Sequence, residues 1–251
     1  MITIEHVWKK FGDKEVIRDL CLHVPKGELF AYLGPNGAGK TTTIKMLTGL
    51  LKPTSGRISL KGHDIEREPL QAKQIIGYVP DLPYLYEKLS LEEFLTFIGH
   101  LYRMNGSRLA EKMNHFLTLF DLQELKGVLI EDLSHGMRQR LVFSAALIHD
   151  PEVLIIDEPM VGLDPRSARL VKDVLREKAD KGTTVFLSTH SLSVAEELAD
   201  RIAILNRGRL IAVGTFDELN KMVERGDRLE DIFLQLTSEE PTASFDKPPV
   251  E

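Results

Sequence analysis

A glycine-rich segment of eight residues places the strongest constraint on how this chain can fold. The segment runs from Gly34 to Thr41, reads GPNGAGKT, and fits the pattern G-x-x-x-x-G-K-[ST]. It follows an apolar run at Leu29–Leu33 and precedes a helical pattern at Thr42–Leu51. In such a segment the backbone N–H groups converge on one anion, and the following helix points its positive end at the same place. The pattern therefore predicts a strand, a phosphate-binding loop and a helix in direct succession.

Individual residues of this loop are candidate ligands of a bound nucleotide. Lys40 is expected to place its ammonium between the terminal phosphates, where it would also assist catalysis, and the Thr41 hydroxyl is a candidate Mg²⁺ ligand. The predicted nucleotide-binding residues are Gly34, Asn36, Gly37, Ala38, Gly39, Lys40 and Thr41 of the segment and Thr42, which follows it. The alternative is a glycine-rich turn that happens to precede a helix, but a turn alone does not explain a lysine followed by three threonines.

Alternation of strand and helix signals predicts an α/β fold for most of the chain. Strand-like apolar runs occur at Ile2–Val7, Glu28–Leu33, Arg57–Leu60, Val153–Asp157, Thr184–Ser188 and Arg201–Leu205. Val153–Ile156 and Val185–Leu187 are continuously apolar, which predicts central strands of a mostly parallel sheet covered on both faces. The first and third runs have turn-forming flanks and are expected to form a small antiparallel β-subdomain.

The middle of the chain is predicted to be helical. Ser90 and Glu93 form a capping box before Leu91–Met104, and further helices are predicted at Arg108–Phe120 and after Ser134. We interpret residues 82–149, approximately, as an α-helical subdomain inserted into a single domain that spans residues 1–237. Residues 238–251 hold three prolines and little apolar surface, which predicts a flexible tail.

Composition limits the classes of function. The formal net charge of −6 argues against general nucleic-acid binding, which normally leaves a basic excess, so no nucleic-acid partner is expected. Apolar runs such as Val153–Ile156 are four residues long, far short of the ~20 that a membrane-spanning helix needs. No secretory signal is predicted at the start of the chain. The single cysteine, Cys21, excludes an internal disulfide and is typical of a cytoplasmic protein.

Two acids at the end of an apolar strand are candidates for metal binding and catalysis. Asp157 and Glu158 are adjacent, and burying such a pair is costly unless a cation or a proton compensates each charge. Because side chains alternate along a strand, the two can have different roles. Asp157 is predicted to bind Mg²⁺, and Glu158 to activate the water that attacks the γ-phosphate. The alternative is two acids at a solvated strand end.

One histidine stands at a chemically suggestive place. His190 follows the strand pattern at Thr184–Ser188, at the predicted carboxyl edge of the sheet, where ligands bind in α/β folds. It is a candidate catalytic residue that donates a hydrogen bond to the γ-phosphate; the alternative is a capping or turn histidine. No grouping of His, Cys and Asp has zinc-like spacing, so Mg²⁺ is the only metal that the sequence implies.

The order of these motifs resembles a known family. Leu133 to Gln139 reads LSHGMRQ and precedes the acidic strand end, and GLD at 162–164 and STH at 188–190 follow it. With the phosphate loop, these segments resemble the ATPase subunits of ATP-binding cassette (ABC) transporters over residues 1–236. The resemblance implies a P-loop NTPase core, ATP and Mg²⁺ as ligands, and hydrolysis coupled to transport by a separate membrane permease.

The resemblance also implies a head-to-tail homodimer or heterodimer. In that arrangement Ser134 and Gly136 of one subunit contact ATP held by the loop of the other, although Ser134 is also a good N-cap by itself. The resemblance assigns to Asp164 the coupling of two ATP sites, in addition to an N-cap role before Pro165. Phe11 matches the aromatic residue that stacks on adenine in the family; a core phenylalanine is the alternative.

Two segments depart from the family pattern. The usual Ser-Gly-Gly-Gln is Ser-His-Gly-Met at residues 134–137, which retains the serine and the second glycine. Asp81 stands where the family usually has glutamine. Aspartate is shorter and charged, so it would repel the γ-phosphate unless it lies near the metal, and we expect Asp81 to act through Mg²⁺ as a third metal-site residue.

The residues from Asp81 to Glu87, termed here the docking segment, are expected to receive the permease. They include two tyrosines and two leucines, at a place where the family lines the groove for a permease helix; local packing is the alternative. Docking would hold the chain on the cytoplasmic face of the membrane. The sequences of Leu85–Met104 and Leu229–Leu234 resemble those of ATPase subunits that serve exporters of drugs, peptides, lipids or sodium ions. A non-transporting cassette ATPase and a nucleotide-dependent switch are the alternative functions.

Overall fold

The computed structural model describes residues 1–160, 162–223 and 228–238, which form two β-sheets and surrounding helices. The strands are β1 (Ile2–Phe11), β2 (Lys14–Val24), β3 (Leu29–Leu33), β4 (Ser55–Leu60), β5 (His63–Asp64), β6 (Ile76–Val79), β7 (Val153–Asp157), β8 (Thr184–Thr189), β9 (Arg201–Asn206) and β10 (Arg209–Gly214). The α-helices are α1 (Lys40–Leu47), α2 (Pro69–Gln74), α3 (Leu91–Leu101), α4 (Gly106–Leu119), α5 (His135–Leu147), α6 (Pro165–Asp180), α7 (Leu192–Leu198), α8 (Phe216–Asn220) and α9 (Leu229–Ser238). Within these ranges, no helix combines the length and the apolar character that crossing a bilayer requires.

The larger sheet has the strand order β10-β9-β3-β8-β7-β6, and all of its neighbouring pairs are parallel except β9 with β10. Every residue of β3, β7 and β8 is buried, which confirms the predicted mostly parallel centre. In the register of these strands, Leu33 lies beside Thr189, and Asp157 lies beside Ser188. The segments that follow β3, β7 and β8 therefore emerge together at one edge of the sheet.

The smaller sheet is antiparallel, with the order β2-β1-β4-β5, as the fold class predicted. Sequence reasoning missed β2, β5, β6 and β10. Strand β2 carries a signal that could have been found, because the buried Leu20, Leu22 and Val24 alternate with Asp19 and Cys21, which are not buried. The sheet is irregular where β1 meets β2, since the pairing register shifts at several places along β1.

Three α-helices and two short 3-10 helices lie between β6 and β7 in the chain. The predicted capping box is present: Ser90 Oγ accepts from the Glu93 N–H at 3.3 Å, and the Glu93 carboxylate accepts from the Ser90 N–H at 2.8 Å. Helix α3 ends earlier than predicted, because Arg103 adopts a left-handed conformation with φ 58°. Helix α1 likewise ends at Leu47, ahead of the left-handed Gly49. The bounds 82–149 of the helical subdomain stay a prediction.

The C-terminal prediction falls mainly outside the part of the chain that the structure describes. The predicted tail at residues 238–251 begins at the last residue of α9, and its other residues lie outside the described ranges. Helix α9 packs Leu229 and Ile232 into a cluster with strand residues of β3 and β9. The extent of a single domain over residues 1–237 remains a prediction.

A stacked pair of rings connects the helices that lie between β6 and β7 in the chain to strand β6. The rings of Tyr102 and His149 are nearly parallel, at 9°, with centroids 3.5 Å apart. The Tyr102 hydroxyl donates to the Ile76 carbonyl at 3.1 Å, and His149 Nε2 lies 3.0 Å from the same oxygen. His149 Nδ1 is buried and has no hydrogen-bond partner among the described residues. Burial of the ring lowers the pKa of His149 to about 4, so the ring is neutral in the folded protein near neutral pH.

This buried histidine predicts a loss of stability in acid. Between pH 6.5 and about 4 the unfolded chain protonates His149 while the folded chain does not, so the free energy of unfolding falls as the pH decreases through this window. The contribution is about 3 kcal/mol when fully developed. In His149→Phe, which retains a flat ring but no titrating group, urea unfolding at a series of pH values should show a shallower decline. The exposed control His100→Phe should keep the native decline, and an equal decline in His149→Phe would contradict the assignment.

Candidate active site

A cleft of about 710 Å³ lies at the carboxyl edge of the larger sheet. Its lining residues are Lys14, Glu15, Val16, Arg18, Asn36, Gly37, Gly39, Lys40, Thr41, Thr42, Asp81, Glu158, His190 and Arg207. The structure thus brings the predicted phosphate loop together with Asp81, Glu158 and His190, which come from distant parts of the chain. The parallel register of the central strands accounts for this convergence.

Two glycines let the phosphate loop pack tightly against its surroundings. A Cβ atom on Gly34 would lie 2.5 Å from the Leu205 carbonyl oxygen, so the loop could not leave β3 along this path with a side chain there. Gly39 has φ +113°, and a Cβ on it would lie 2.5 Å from Ile17 Cδ1. Helix α1 begins at the next residue, Lys40, so its unpaired backbone N–H groups face the cleft.

Lys40 is buried and spans the loop. Its Nζ donates to the Gly34 carbonyl at 2.6 Å and to the Pro35 carbonyl at 3.4 Å. Burial lowers the pKa of Lys40, whereas the carboxylates of Glu158 and Asp157 raise it. The side chain is therefore a fixed cation between the loop and the acidic end of β7, where it can meet an anionic ligand.

Asp157 is buried beside other oxygen-bearing side chains. Burial is the largest effect and raises its pKa; the hydroxyls of Ser188 and Thr41 lower it, and the carboxylates of Glu158 and Asp81 raise it further. Tyr78 responds to the same negative charge, because burial, Asp157 and Asp81 raise its pKa to about 12. An added cation would relieve this accumulation of negative charge.

The donors at this place fit Mg²⁺, which takes oxygen ligands. The Thr41 hydroxyl lowers the pKa of Asp157 and the Asp81 carboxylate raises it, so both side chains lie near Asp157. These are the three predicted metal-site residues, and burial, the main cause of the raised pKa of Asp157, makes its charged form costly without a cation. The chemistry of the donor set is therefore suitable for a hard divalent cation.

Glu158 and His190 form a pair in the lining of the cleft. Glu158 Oε1 lies 2.9 Å from His190 Nδ1, while Oε2 accepts from Thr189 Oγ1 at 3.1 Å and from the His190 backbone N–H at 3.3 Å. Glu158 has the left-handed φ of 51°, which is uncommon for a residue other than glycine. The Glu158 side chain is 15% exposed, whereas the His190 side chain is 64% exposed. The carboxylate is thus held in place, and the imidazole keeps room to move.

Seven predicted site residues do not line the cleft of their own chain. Gly34, Ala38 and Asp157 are buried. The remaining four are Phe11, Ser134, Gly136 and Asp164. Phe11 is about half exposed at the end of β1, where Lys9 Nζ lies 5.0 Å from its ring centroid. Its strand partner Lys14 does line the cleft.

The other three lie at helix N-termini. Ser134 caps α5 by accepting from the Met137 N–H at 3.3 Å, and Asp164 caps α6 by accepting from the N–H groups of Arg166 and Ser167 at 2.9 and 3.0 Å. The chain next to one cap contacts the chain next to the other. The ring of His135, which follows Ser134, fills the space beside Gly162: a Cβ on that glycine would lie 2.1 Å from His135 Cδ2. Both predicted N-cap roles are present. The contact of His135 with Gly162 was not foreseen.

Sequence reasoning missed a basic wall of the cleft. Lys14, Val16 and Arg18 come from β2, which was not predicted as a strand, and Arg207 comes from the turn between β9 and β10. The alternation of β2 would have identified the strand, but its position beside Gly39 of the phosphate loop follows from packing between the two sheets. Lys14, Arg18 and Arg207 add positive charge around a cleft that also holds Lys40, and Glu15 of the same strand pairs with Arg18 at 3.4 Å.

Comparison with known proteins gives one consistent family. A family model described as "ABC transporter" matches residues 17–161. The daunorubicin resistance ATP-binding protein DrrA3 of Streptomyces coeruleorubidus is 42% identical over 229 residues, which span 91% of this chain and 72% of that protein. The Nod factor export ATP-binding protein I of Cupriavidus metallidurans is 38% identical over 219 residues, which span 87% of this chain and 72% of that protein.

A solved structure supports the same relationship. The structure of an ATP-binding subunit of an ABC transporter superposes with a TM-score of 0.90 at 32% identity, and the match covers 94% of this chain and 99% of the other. The architecture around the cleft is therefore that of a known ATP-binding subunit.

Proposed function

The chain belongs to the ABC transporter family as an ATP-binding subunit, and from this premise we propose that it hydrolyses ATP in the cleft to power export by a separate membrane permease. The pairing of Glu158 with His190 carries the proposal. This pairing holds a carboxylate base in a cleft that is also lined by the phosphate loop with Lys40.

ATP binding is proposed to rest on the loop and on the basic wall. The triphosphate oxygens accept hydrogen bonds from backbone N–H groups of the loop. They face the N-terminus of α1, where the helix dipole favours negative charge. Lys40 neutralises charge on the terminal phosphates, and Arg18 and Arg207 supply further positive charge at the other side of the cleft. Thr41, Asp157 and Asp81 are the residues that would hold Mg²⁺, which neutralises phosphate oxygens when it is bound.

Glu158 is proposed as the general base for hydrolysis. Its carboxylate takes a proton from a water molecule as the water oxygen bonds to the γ-phosphorus and the bond to the ADP oxygen breaks. Thr189 and the His190 backbone N–H hold Oε2, so the imidazole can leave Oε1 and donate to the γ-phosphate without releasing the base. Oε1 then becomes available to the attacking water.

A second ATPase subunit is proposed to complete each site. Ser134, Gly136 and Asp164 do not line the cleft of their own chain, and the N-terminus of α5, which carries Ser134 and Gly136 and has no acidic residue in its first turn, is suited to an anion. A head-to-tail partner would bring its Ser134 and Gly136 to the ATP held by Lys40, and Phe11 would stack on the adenine.

The docking segment is proposed as the permease contact. Tyr84 is 98% exposed, and Leu82 and Tyr86 are also exposed, which leaves an apolar patch without an internal partner for most of its surface. Tyr86 makes an edge contact with Phe97 at 5.5 Å, so one end of the patch rests on α3. Docking of this patch on a permease would place the chain at the cytoplasmic face of the membrane.

Arg138 supplies a physical connection between the docking segment and the helix that begins after Ser134. Its guanidinium contacts Glu87 Oε1 at 3.1 Å and donates to the carbonyl oxygens of Glu131 at 2.8 Å and Leu133 at 3.1 Å. A movement of the docking segment would therefore act directly on the first turn of α5. This supports coupling between permease contact and the assembly of the ATP site.

Export is the proposed direction of transport. Two relatives support it by their names, which describe drug resistance and Nod factor export. The pattern of Leu85–Met104 agrees with this direction.

Removal of the general base is the most direct test of hydrolysis. In Glu158→Gln we expect ATP turnover, measured by phosphate release, to fall by about 10²–10⁴ while ATP binding is retained, because the amide cannot accept the proton. ATP should then hold the variant as a dimer on size-exclusion chromatography. The control Glu152→Gln makes the same change at an ion pair outside the cleft and should keep the native rate. A native rate in Glu158→Gln would contradict the role of this residue.

Charge on the docking segment tests the permease contact. Tyr84→Glu with Tyr86→Glu should abolish co-purification with the membrane protein that the native chain captures, identified by mass spectrometry, because charge opposes burial of this patch. Basal ATP turnover and urea unfolding should stay native. Leu70→Glu alters an exposed apolar residue elsewhere and should leave capture intact. Retained capture in the tyrosine variant would contradict docking at this segment.

A further inference from the structure

Three potential metal ligands meet on the smaller sheet, and none of them lines the nucleotide cleft. His6 Nδ1 lies 2.8 Å from Asp19 Oδ1 and 3.5 Å from Cys21 Sγ, and all three ligand atoms lie within 4.8 Å of one another. None of these residues belongs to the ATP site proposed above. Their positions in the sequence, on two different strands, give no zinc-like spacing, so only the fold reveals the group.

Two adjacent irregularities in the pairing of β1 with β2 create the group. Between the pairs Ile4–Leu22 and Val7–Leu20, β1 has one more residue than β2, and beyond Val7–Leu20 the extra residue is on β2. His6 has φ 47° and Asp19 has φ 50°, so both residues at these bulges are left-handed. Such bulges re-aim side chains, and here they turn His6 and Asp19 toward Cys21.

A third strand fixes this geometry. A Cβ on Gly56 of β4 would lie 2.3 Å from the His6 carbonyl oxygen, so β4 passes directly beneath the bulge and leaves no room for it to relax. The His6 backbone N–H also donates to Cys21 Sγ at 3.3 Å. Both the backbone N–H and the imidazole of His6 therefore contact the Cys21 sulfur.

The spacing suits a tetrahedral ion. Bonds of about 2.0–2.3 Å to N, O and S ligands place neighbouring ligand atoms about 3.3–3.7 Å apart. The His6–Cys21 separation falls in this range, and the His6–Asp19 contact has to open by about 0.5 Å. Opening is feasible because the His6 and Asp19 side chains are 78% and 47% exposed.

We propose that His6, Asp19 and Cys21 bind a divalent transition-metal ion of the Zn²⁺ class, with water in the fourth position. One imidazole, one thiolate and one carboxylate form a donor set that selects such ions over Mg²⁺, which prefers oxygen ligands alone. The site clamps β1 to β2, and β2 also forms a wall of the nucleotide cleft.

A neighbouring histidine provides a matched control. His23 is exposed and lies two residues beyond Cys21 on the same face of β2, but its Nδ1 pairs with Thr3 Oγ1 at 3.3 Å and it is outside the group. His23→Ala removes an exposed imidazole from the same strand without removing a proposed ligand.

Cobalt titration tests the site in the intact protein. Metal-free, reduced protein is titrated with Co²⁺ in excess Mg²⁺, and we expect a thiolate-to-cobalt absorption band that saturates at a single equivalent and is abolished by Zn²⁺. Because the chain has one cysteine, this band reports Cys21 alone. Cys21→Ser should lose the band. His6→Ala and Asp19→Asn should weaken binding by at least about 100-fold, since changes even to residues around a metal cost about 10–100-fold.

The controls separate the site from folding and from the nucleotide cleft. His23→Ala should bind Co²⁺ as the native chain does, and native far-ultraviolet circular dichroism shows that each variant is folded. The proposal is wrong if no thiolate band forms, if folded His6→Ala and Asp19→Asn bind Co²⁺ with native affinity, or if the band saturates at half an equivalent, which would mean that the ion bridges two chains. None of these results depends on ATP hydrolysis, so the proposed function stands or fails separately.

Discussion

The opposition of one buried ammonium to two carboxylates at the edge of the central sheet is the interaction on which the rest of the site depends. Lys40 Nζ donates to the Gly34 carbonyl, and the charges of Glu158 and Asp157 raise the pKa of this ammonium. Any of these charges buried alone would be costly. The phosphate loop and the end of β7 therefore stabilise each other only because the apolar strands β3, β7 and β8 run parallel, side by side, and end together.

The sequence predicted those parts of the fold whose local pattern matches their environment. Fully buried β7 was visible as a continuous apolar run, and α3 was visible from the Ser90 cap. Strand β6 was not visible in the sequence, because it has only four residues and one of them is Gly77. A Cβ on Gly77 would lie 2.4 Å from the Ala146 carbonyl oxygen, so packing against a distant part of the chain requires glycine there. The pairing of Glu158 with His190 and the group around Cys21 likewise depend on strand register, which a single sequence does not specify.

The proposed ATP site is incomplete within a single chain. The loop, the acidic strand end and His190 meet in one cleft, while Ser134 and Asp164 cap helices that do not reach it. The exposed tyrosines of the docking segment lie in the same short stretch of chain as Asp81, which lines the cleft. With Arg138 bound to Glu87, the surface proposed for the permease is thus joined to both halves of the proposed ATP site. This continuity gives a physical basis for coupling transport to hydrolysis.

The central claim is that each working site combines Lys40 of one subunit with Ser134 of another. Mixing Lys40→Ala with Ser134→Arg tests it most directly, by phosphate release. Each variant alone has no intact site and should be inactive, whereas the mixed head-to-tail dimer has one cleft with native Lys40 and native Ser134. Recovery of ATP turnover on mixing is the predicted result. An active Ser134→Arg protein, or no recovery when both variants are folded and co-assemble, would contradict the account.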